Sequence, residues 1–243
     1  LTKFWLKQSP NTNSTSSAVT NVAALIVAAG SGVRLGASVP KALLRIGDKS
    51  LLEHSVDSLC AHPSLRCIVV AAPASHVDLV IELLAGRATV IVGGASRQAS
   101  VQLGLAALPA DIDVVLVHDA ARPFVPVDVI DRVLAAIDGG ASAAIPGLAV
   151  TDTIKRVDAQ GDVTATVDRA DLRAVQTPQG FRLRELILAH QRADAEGWAD
   201  STDDAALVER AGGRVAVVDG ADEAFKITRP WDLRLAELMV AER

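Results

Sequence analysis

From residue 23 onward, short and wholly apolar runs alternate with stretches whose apolar residues recur every three or four positions. The apolar runs at 23–29, 67–72, 89–92, 114–118, 143–146 and 214–218 read as strands. Ser50-Leu51-Leu52-Glu53 is a capping box, and it opens a helix on which Leu52, Val56 and Leu59 share one face. Helical spacing recurs over 77–84, 98–108, 128–137, 183–195, 203–210 and 231–241, and Pro230 suits the first turn of the last of these. Ile68-Val69-Val70 and Val114-Val115-Leu116-Val117 have no polar side, as expected of strands covered by helices on both faces. The pattern predicts a doubly wound α/β domain over 21–243 with a mainly parallel sheet. Ligands of such sheets bind beyond the carboxyl ends of the strands.

Residues 147–181 interrupt this rhythm. Val150-Thr151-Asp152-Thr153-Ile154-Lys155-Arg156-Val157 alternates polar with apolar, and Ala159-Gln160-Gly161-Asp162 is a turn before Val163-Thr164-Ala165-Thr166-Val167. A β-hairpin arm over about 148–172 is expected. It has too little apolar material for a core of its own, so its apolar side needs a cover. A second copy of the chain is the expected one, and its own domain is the alternative.

Composition narrows the class. The chain has 243 residues, half of them hydrophobic, enough for one substantial core. A net charge of −5 gives no general affinity for nucleic acid. No apolar run approaches the roughly 20 residues that span a bilayer. Cys60 and Cys67 lack metal-ligand spacing and are too few for a disulfide framework; both read as buried thiols of a cytoplasmic protein. The first twenty residues are polar, begin at Leu1 and lack the apolar core of a secretory signal. They read as a tail outside the fold, either an incomplete natural extension or a cloning remnant.

Candidate chemistry begins where the first strand ends. Ala28-Ala29-Gly30-Ser31-Gly32 is followed by Arg34 and by Pro40-Lys41. Small residues let backbone N–H groups approach an anion closely, and two cations add full charge beside them. The glycines alone also suit a packing turn; with Arg34 and Lys41 a polyphosphate is the natural guest. Leu35 stands where a dinucleotide fingerprint needs Gly, and the loop lacks the Gly-Lys-Ser/Thr ending of a Walker loop. Gly93-Gly94-Ala95-Ser96-Arg97, with Ser100 one turn on, can bond a planar base edge or serve as a tight turn. Asp119 ends the most apolar strand. Beside a polyphosphate loop its carboxylate suggests Mg²⁺, directly or through water, with a turn-capping role as the alternative. His118 is taken as structural. Lys155 and Arg156 read as a solvated hairpin face, Arg169 as an ion-pair partner of Asp168, and Lys226, just before the last helix, as a surface lysine.

Taken in order, these motifs resemble the 2-C-methyl-D-erythritol 4-phosphate cytidylyltransferases. The resemblance rests on Ala28-Ala29-Gly30-Ser31-Gly32-Val33-Arg34, Pro40-Lys41, Leu52-Glu53-His54-Ser55, Gly93-Gly94 and Val117-His118-Asp119-Ala120-Ala121-Arg122-Pro123. It continues through Asp152-Thr153, Val167-Asp168-Arg169, Gln176-Thr177-Pro178-Gln179, Thr202-Asp203 and Lys226-Ile227-Thr228. It implies a Rossmann-like nucleotidyltransferase fold and transfer of CMP from CTP to methylerythritol phosphate, with Mg²⁺. It further implies that Arg34 and Lys41 neutralise the triphosphate, and that Ala28, Ala29, Gly30, Gly94, Ala95, Ser100, Asp119 and Ala120 hold the nucleotide. Thr153, Arg169 and Lys226 would place the acceptor, with Arg122 and Thr202 nearby and Arg169 and Lys226 acting in catalysis. The hairpin would cross a homodimer interface, so that Thr153 and Arg169 serve the neighbouring subunit. Ala95 departs from the Asp that some relatives carry.

Three other readings are set against this one. A related enzyme would use ribitol 5-phosphate or another sugar phosphate. A nicotinamide oxidoreductase is disfavoured by Leu35. A nucleotide sensor without turnover is disfavoured by the retention of both Arg34 and Lys41.

Overall fold

The computed structural model describes residues 21–28, 39–198 and 201–242. Four parallel strands form the heart of one sheet: β1 (Val22–Val27), β4 (Leu65–Ala72), β5 (Thr89–Val92) and β6 (Val114–Asp119). Val27 pairs with Asp119 on one side and Ala71 on the other, and Ala72 pairs with Val92, so the four strands end at one level. From β1 the chain builds outward through β4 and β5 on one side and through β6 on the other. The crevice at the ends of β1 and β6 is therefore a topological switch point, where doubly wound sheets bind ligands.

Beyond β6 lie β11 (Gln179–Arg182), β7 (Ala143–Ala149) and β12 (Val215–Asp219). Strand β11 runs antiparallel to both β6 and β7, so these two are parallel to each other. β12 extends the sheet in parallel on the far side of β7. β10 (Arg173–Val175) pairs with Gly147 to Ala149 of β7, and β11 pairs with Ala143 and Ala144. The two are halves of one strand, interrupted at Gln176 to Pro178. The expectation of a mainly parallel sheet holds, with this antiparallel insertion as the exception. A small second ribbon, β2 (Arg45–Ile46) with β3 (Lys49–Ser50), was also outside the expected set.

Continuous apolar strands are explained by two core layers. Val22, Ala24, Ile26 and Ala28 of the first strand segment face one layer with Val114 and Leu116, while Leu25 faces the other with Val115 and Val117. Helices α1 (Leu51–Cys60), α2 (Val77–Leu84) and α4 (Val127–Asp138) supply the first layer. Helices α3 (Arg97–Ala106), α5 (Leu183–Ala195) and α6 (Asp204–Arg210) supply the second. The capping box forms as expected: Glu53 N–H donates to Ser50 Oγ at 3.2 Å, and Ser50 N–H donates to Glu53 Oε2 at 2.8 Å. Helix α7 (Pro230–Ala241) starts at the expected proline.

The cysteines correct one expectation. Cys60 is exposed and Cys67 only half-buried. Cys60 is one residue past Leu59, which rotates it off the apolar stripe of α1, and Cys67 lies in the part of β4 before its fully covered half. The hairpin forms as β8 (Ile154–Val157) and β9 (Val163–Val167), a separate two-stranded sheet. It leaves from the end of β7, the same edge of the sheet at which β6 ends.

Close packing of α3 on β1 uses Gly104, whose added Cβ would overlap Cγ and both δ-carbons of fully buried Leu25. Gly104→Ala should therefore cost about 1–3 kcal/mol of stability despite alanine's better helix propensity. Urea unfolding measures this, and an unchanged or higher midpoint would contradict the packing account.

Candidate active site

Strand β6 delivers Asp119 to the switch point, and three interactions fix what surrounds it. Lys226 Nζ lies 2.7 Å from Asp119 Oδ2, and Arg97 Nε lies 3.8 Å from Oδ1. Burial opposes ionisation of Asp119, but the charges of Lys226 and Arg97 outweigh it and hold its pKa down at about 2. The carboxylate is thus an anion throughout the neutral range. Its backbone N–H donates to Thr177 Oγ1 at 3.1 Å, which ties the end of β6 to the interrupted strand beside it.

Lys226 is brought here by its backbone rather than by its own reach. Ile227 N–H donates to the Ala121 carbonyl at 2.9 Å, and Arg122 donates to the Ala224 carbonyl at 2.7 Å. Asp232 then accepts from Thr228 N–H, Thr228 Oγ1 and Arg229 N–H at 2.7–2.9 Å, closing the segment onto the start of α7. Arg122 also donates to the Val175 carbonyl at 3.2 Å. It lies buried beneath the site and braces the loops on either side of Lys226.

His118 is structural, as expected. It is fully buried, and its Nε2 lies 3.0 Å from the Arg122 carbonyl, which can only accept. Nδ1 is then the acceptor for the Thr177 hydroxyl at 2.9 Å. Burial disfavours the cation and lowers the pKa to about 4, so the ring is neutral at pH 7.

The base-edge candidates occupy the end of β5. Gly93 N–H donates to the Ala72 carbonyl at 2.8 Å, and Gly94 N–H donates to Ser100 Oγ at 3.0 Å. Ser100 in turn donates to the Ser96 carbonyl at 2.8 Å, so its hydroxyl shapes the loop. A Cβ on Gly94 would stand 2.5 Å from Ala99 Cβ and 2.8 Å from Ala99 C, so only glycine fits against the start of α3. On the neighbouring strand ends, Ala28 N–H donates to Ala71 O at 2.9 Å and Ala120 N–H donates to Val27 O at 3.3 Å.

The sheet edge thus gathers Ala28, Gly94, Ala95, Ser100, Asp119 and Ala120, with Lys226 brought against it. Lys41 begins a short 3₁₀ turn, Lys41–Leu43, and is half-buried. Ala29, Gly30 and Arg34 lie outside the described residues. Thr202 is exposed just before α6, whose Asp203 caps the helix and accepts from Gln179 Nε2 at 2.8 Å. Thr153 and Arg169 are exposed on the arm. Arg169 donates to the Thr151 carbonyl and forms no ion pair among the described residues. Asp168, its expected partner, instead accepts from Ala170 N–H at 3.0 Å. Lys155 donates across the hairpin to Thr166 Oγ1 at 2.6 Å, on the solvated face expected of it.

Sequence reasoning missed Arg97 as a partner of Asp119. Its NH1 lies 2.6 Å from Asp204 Oδ2, and His190 Nε2 lies 3.0 Å from Asp204 Oδ1. The glycine loop just before Arg97 was the available signal, since a cation at the first position of that helix must lie near the same sheet edge.

A doubly wound sheet with a base-edge loop, a charged carboxylate and cations at its switch point defines a nucleotidyltransferase-type α/β protein. Comparison makes it particular: residues 22–242 match the family model for 2-C-methyl-D-erythritol 4-phosphate cytidylyltransferase (IspD), and the chain belongs to this family. It is 48% identical over 234 residues to the Streptomyces avermitilis protein of that name, covering 91% of this chain and 92% of the relative. It is 49% identical over 224 residues to the bifunctional enzyme IspD/IspF of Clavibacter michiganensis subsp. michiganensis, of which it spans 54%. The crystal structure of the Thermus thermophilus cytidylyltransferase superposes with a TM-score of 0.74 at 36% identity, covering 90% of this chain and 98% of that one.

The neutral imidazole of His118 has a consequence for stability. With an unfolded pKa near 6.5, the unfolded chain binds a proton that the native one refuses as pH falls from about 6.5 to 4. This residue's contribution is complete above pH 6.5 and is lost through that window, on the order of 3 kcal/mol. Unfolding free energies of the parent and His118→Asn, measured against pH, should converge by that amount on acidification. Parallel curves would contradict it.

Proposed function

We propose that this protein transfers CMP from CTP to 2-C-methyl-D-erythritol 4-phosphate, releasing pyrophosphate, as a step of isoprenoid precursor synthesis in the cytoplasm. The observation that carries the reading is the Asp119–Lys226 pair at the same sheet edge as the Gly93-Gly94 loop, within a chain whose residues 22–242 match the family model.

An oxygen of the acceptor phosphate attacks the α-phosphorus in line, and pyrophosphate departs. The nucleophile is already an anion at neutral pH, so no side chain has to remove a proton. The barrier lies in bringing two anions together and in charge growing on the leaving oxygens, and fixed positive potential lowers it. Arg34 and Lys41 follow the glycine loop in the sequence and supply that potential to the triphosphate. The Gly94–Ala95 segment takes the base edge through backbone groups, which makes alanine at 95 compatible with cytosine recognition. Lys226 takes the acceptor phosphate.

Mg²⁺ fits the donors if it travels with the nucleotide. No cluster of three or more His, Cys, Asp or Glu able to hold a metal occurs among the described residues. Asp119 would then be the protein ligand, directly or through water, beside the nucleotide's own phosphates. When bound, the ion neutralises triphosphate charge.

The arm supports a homodimer with shared sites. Val157 and Val163 are 54% and 61% exposed, and Val163 shares a hairpin face with Ala165, Val167 and Ile154. Its own chain leaves Val157 and Val163 bare and covers Ile154, Ala165 and Val167 only in part, while Thr153 and Arg169 are exposed on the arm. Both features are accounted for when the arm lies on a second copy and delivers these two residues to its acceptor site. No helix among the described residues is long and apolar enough to cross a membrane.

Pyrophosphate release with a panel of nucleotides and acceptors, ribitol 5-phosphate included, tests the reaction. CTP with methylerythritol phosphate and Mg²⁺ should be the productive combination, and turnover only with another pair would refute the assignment. Lys41→Ala and Arg169→Ala should each lose about 10²-fold or more in kcat. Mixed and allowed to exchange subunits, they should recover about one quarter of parental activity, since half the dimers are mixed and each has one intact site of two. No recovery after exchange confirmed by mass spectrometry would exclude the shared site.

A further inference from the structure

Arg97 stands between two carboxylates supplied by different elements. Its Nε faces Asp119 Oδ1 at 3.8 Å, and its NH1 meets Asp204 Oδ2 at 2.6 Å. Asp204 is 1% exposed at the start of α6, with its second oxygen 3.0 Å from His190 Nε2. The start of α6 is itself pinned, because Asp203 caps it and also accepts from buried Gln179. Arg97 is therefore anchored from the second core layer and presents one edge of its guanidinium to the site.

We propose that Arg97 is a positioning residue for CMP transfer: held by Asp204 and His190, it engages one oxygen of Asp119 and leaves Lys226 available to the acceptor phosphate. The proposal rests on the cytidylyltransferase reading of the site. Asp119 carries one negative charge and faces two cations. Without Arg97 that whole charge would fall on Lys226, only 2.7 Å away, and their charge-assisted hydrogen bond would tighten. An incoming phosphate monoester would then have to win Lys226 from a stronger competitor. With Arg97 in place the charge is shared, and Lys226 can exchange Asp119 for the acceptor.

Asp204 has a second effect. It balances the charge of Arg97 and fixes its direction, so Arg97 does not swing toward the triphosphate and act as a further nucleotide clamp. The arrangement needs arginine. Its planar guanidinium hydrogen-bonds Asp204 through one edge while turning Nε toward Asp119, whereas a lysine at 97 ends in a single ammonium on a flexible stem.

The test is a comparison of parent, Arg97→Gln, Arg97→Lys and Asp204→Asn. CTP affinity is read by calorimetry, steady-state constants by pyrophosphate release, and folding by circular dichroism and thermal melting. The expected result is a rise in acceptor KM of about 10-fold for both Arg97 variants and a smaller rise for Asp204→Asn. CTP Kd and kcat should stay within about threefold of the parent. If Arg97→Gln fails to fold, Arg97→Lys and Asp204→Asn carry the comparison. Parental acceptor KM in a folded Arg97→Lys protein overturns the proposal. So do equal losses for both substrates, or a lower melting temperature with unaltered kinetics, which would mark a structural role alone. A parent that does not turn over CTP with methylerythritol phosphate defeats the cytidylyltransferase reading, and this proposal with it. An active parent with unmoved acceptor KM in the variants defeats this proposal alone.

Discussion

A carboxylate at the edge of a buried sheet is tolerable only with cations beside it, and the pairing of Asp119 with Lys226 meets that requirement here. Much of the surrounding architecture serves to bring the two together. Strand β6 is apolar until its last two residues, so the core holds it in place and Asp119 emerges where the strand ends. Lys226 comes from more than a hundred residues away and arrives through a main-chain bond from Ile227 to Ala121 and the Arg122 side chain's bond to the Ala224 carbonyl. Arg122, the one charged side chain of that buried loop, is tolerated because two carbonyls from separate segments meet on its guanidinium. Arg97 completes the balance from the opposite core layer.

The same edge shows why small residues cluster in this chain. Ala28, Gly93, Gly94, Ala95 and Ala120 leave the strand ends nearly bare of side chains. Most of their N–H groups are taken within the chain, Ala28 by Ala71, Gly93 by Ala72, Gly94 by Ser100 and Ala120 by Val27, so what the small residues leave is open space against the strand ends. Small residues and a few cations divide this edge between them. The neutral His118 belongs to neither group, and its two ring nitrogens bind the Thr177 and Arg122 segments to β6.

The central elements were legible in the sequence because each carries its own period. Apolar runs between capping and turn signals marked the parallel strands, and alternation marked the hairpin. What was not legible depends on partners distant in the chain. Arg173–Val175 is exposed and only three residues long, and it counts as a strand only because β7 lies beside it. Gln179–Arg182 is half polar, yet Gln179 to Phe181 are buried between β6 and β7. Cys60 sits in an apolar run but beyond the helical stripe. In the site, motif order indicated Asp119 and Lys226, while the link from Arg97 to Asp204 spans 107 positions and leaves no local pattern. Thr153 and Arg169 are legible as arm residues, and the structure leaves both exposed there.

If Asp119 and Lys226 act as one unit, their removal cannot be additive. A double-mutant cycle on kcat/KM with Asp119→Asn, Lys226→Met and the double variant measures this directly. The account predicts that the double variant is little worse than the more damaged single one, with a coupling on the order of 1.5 kcal/mol or more. Losses that simply multiply would show that the two residues act independently, and the charge balance described here would then not organise the site.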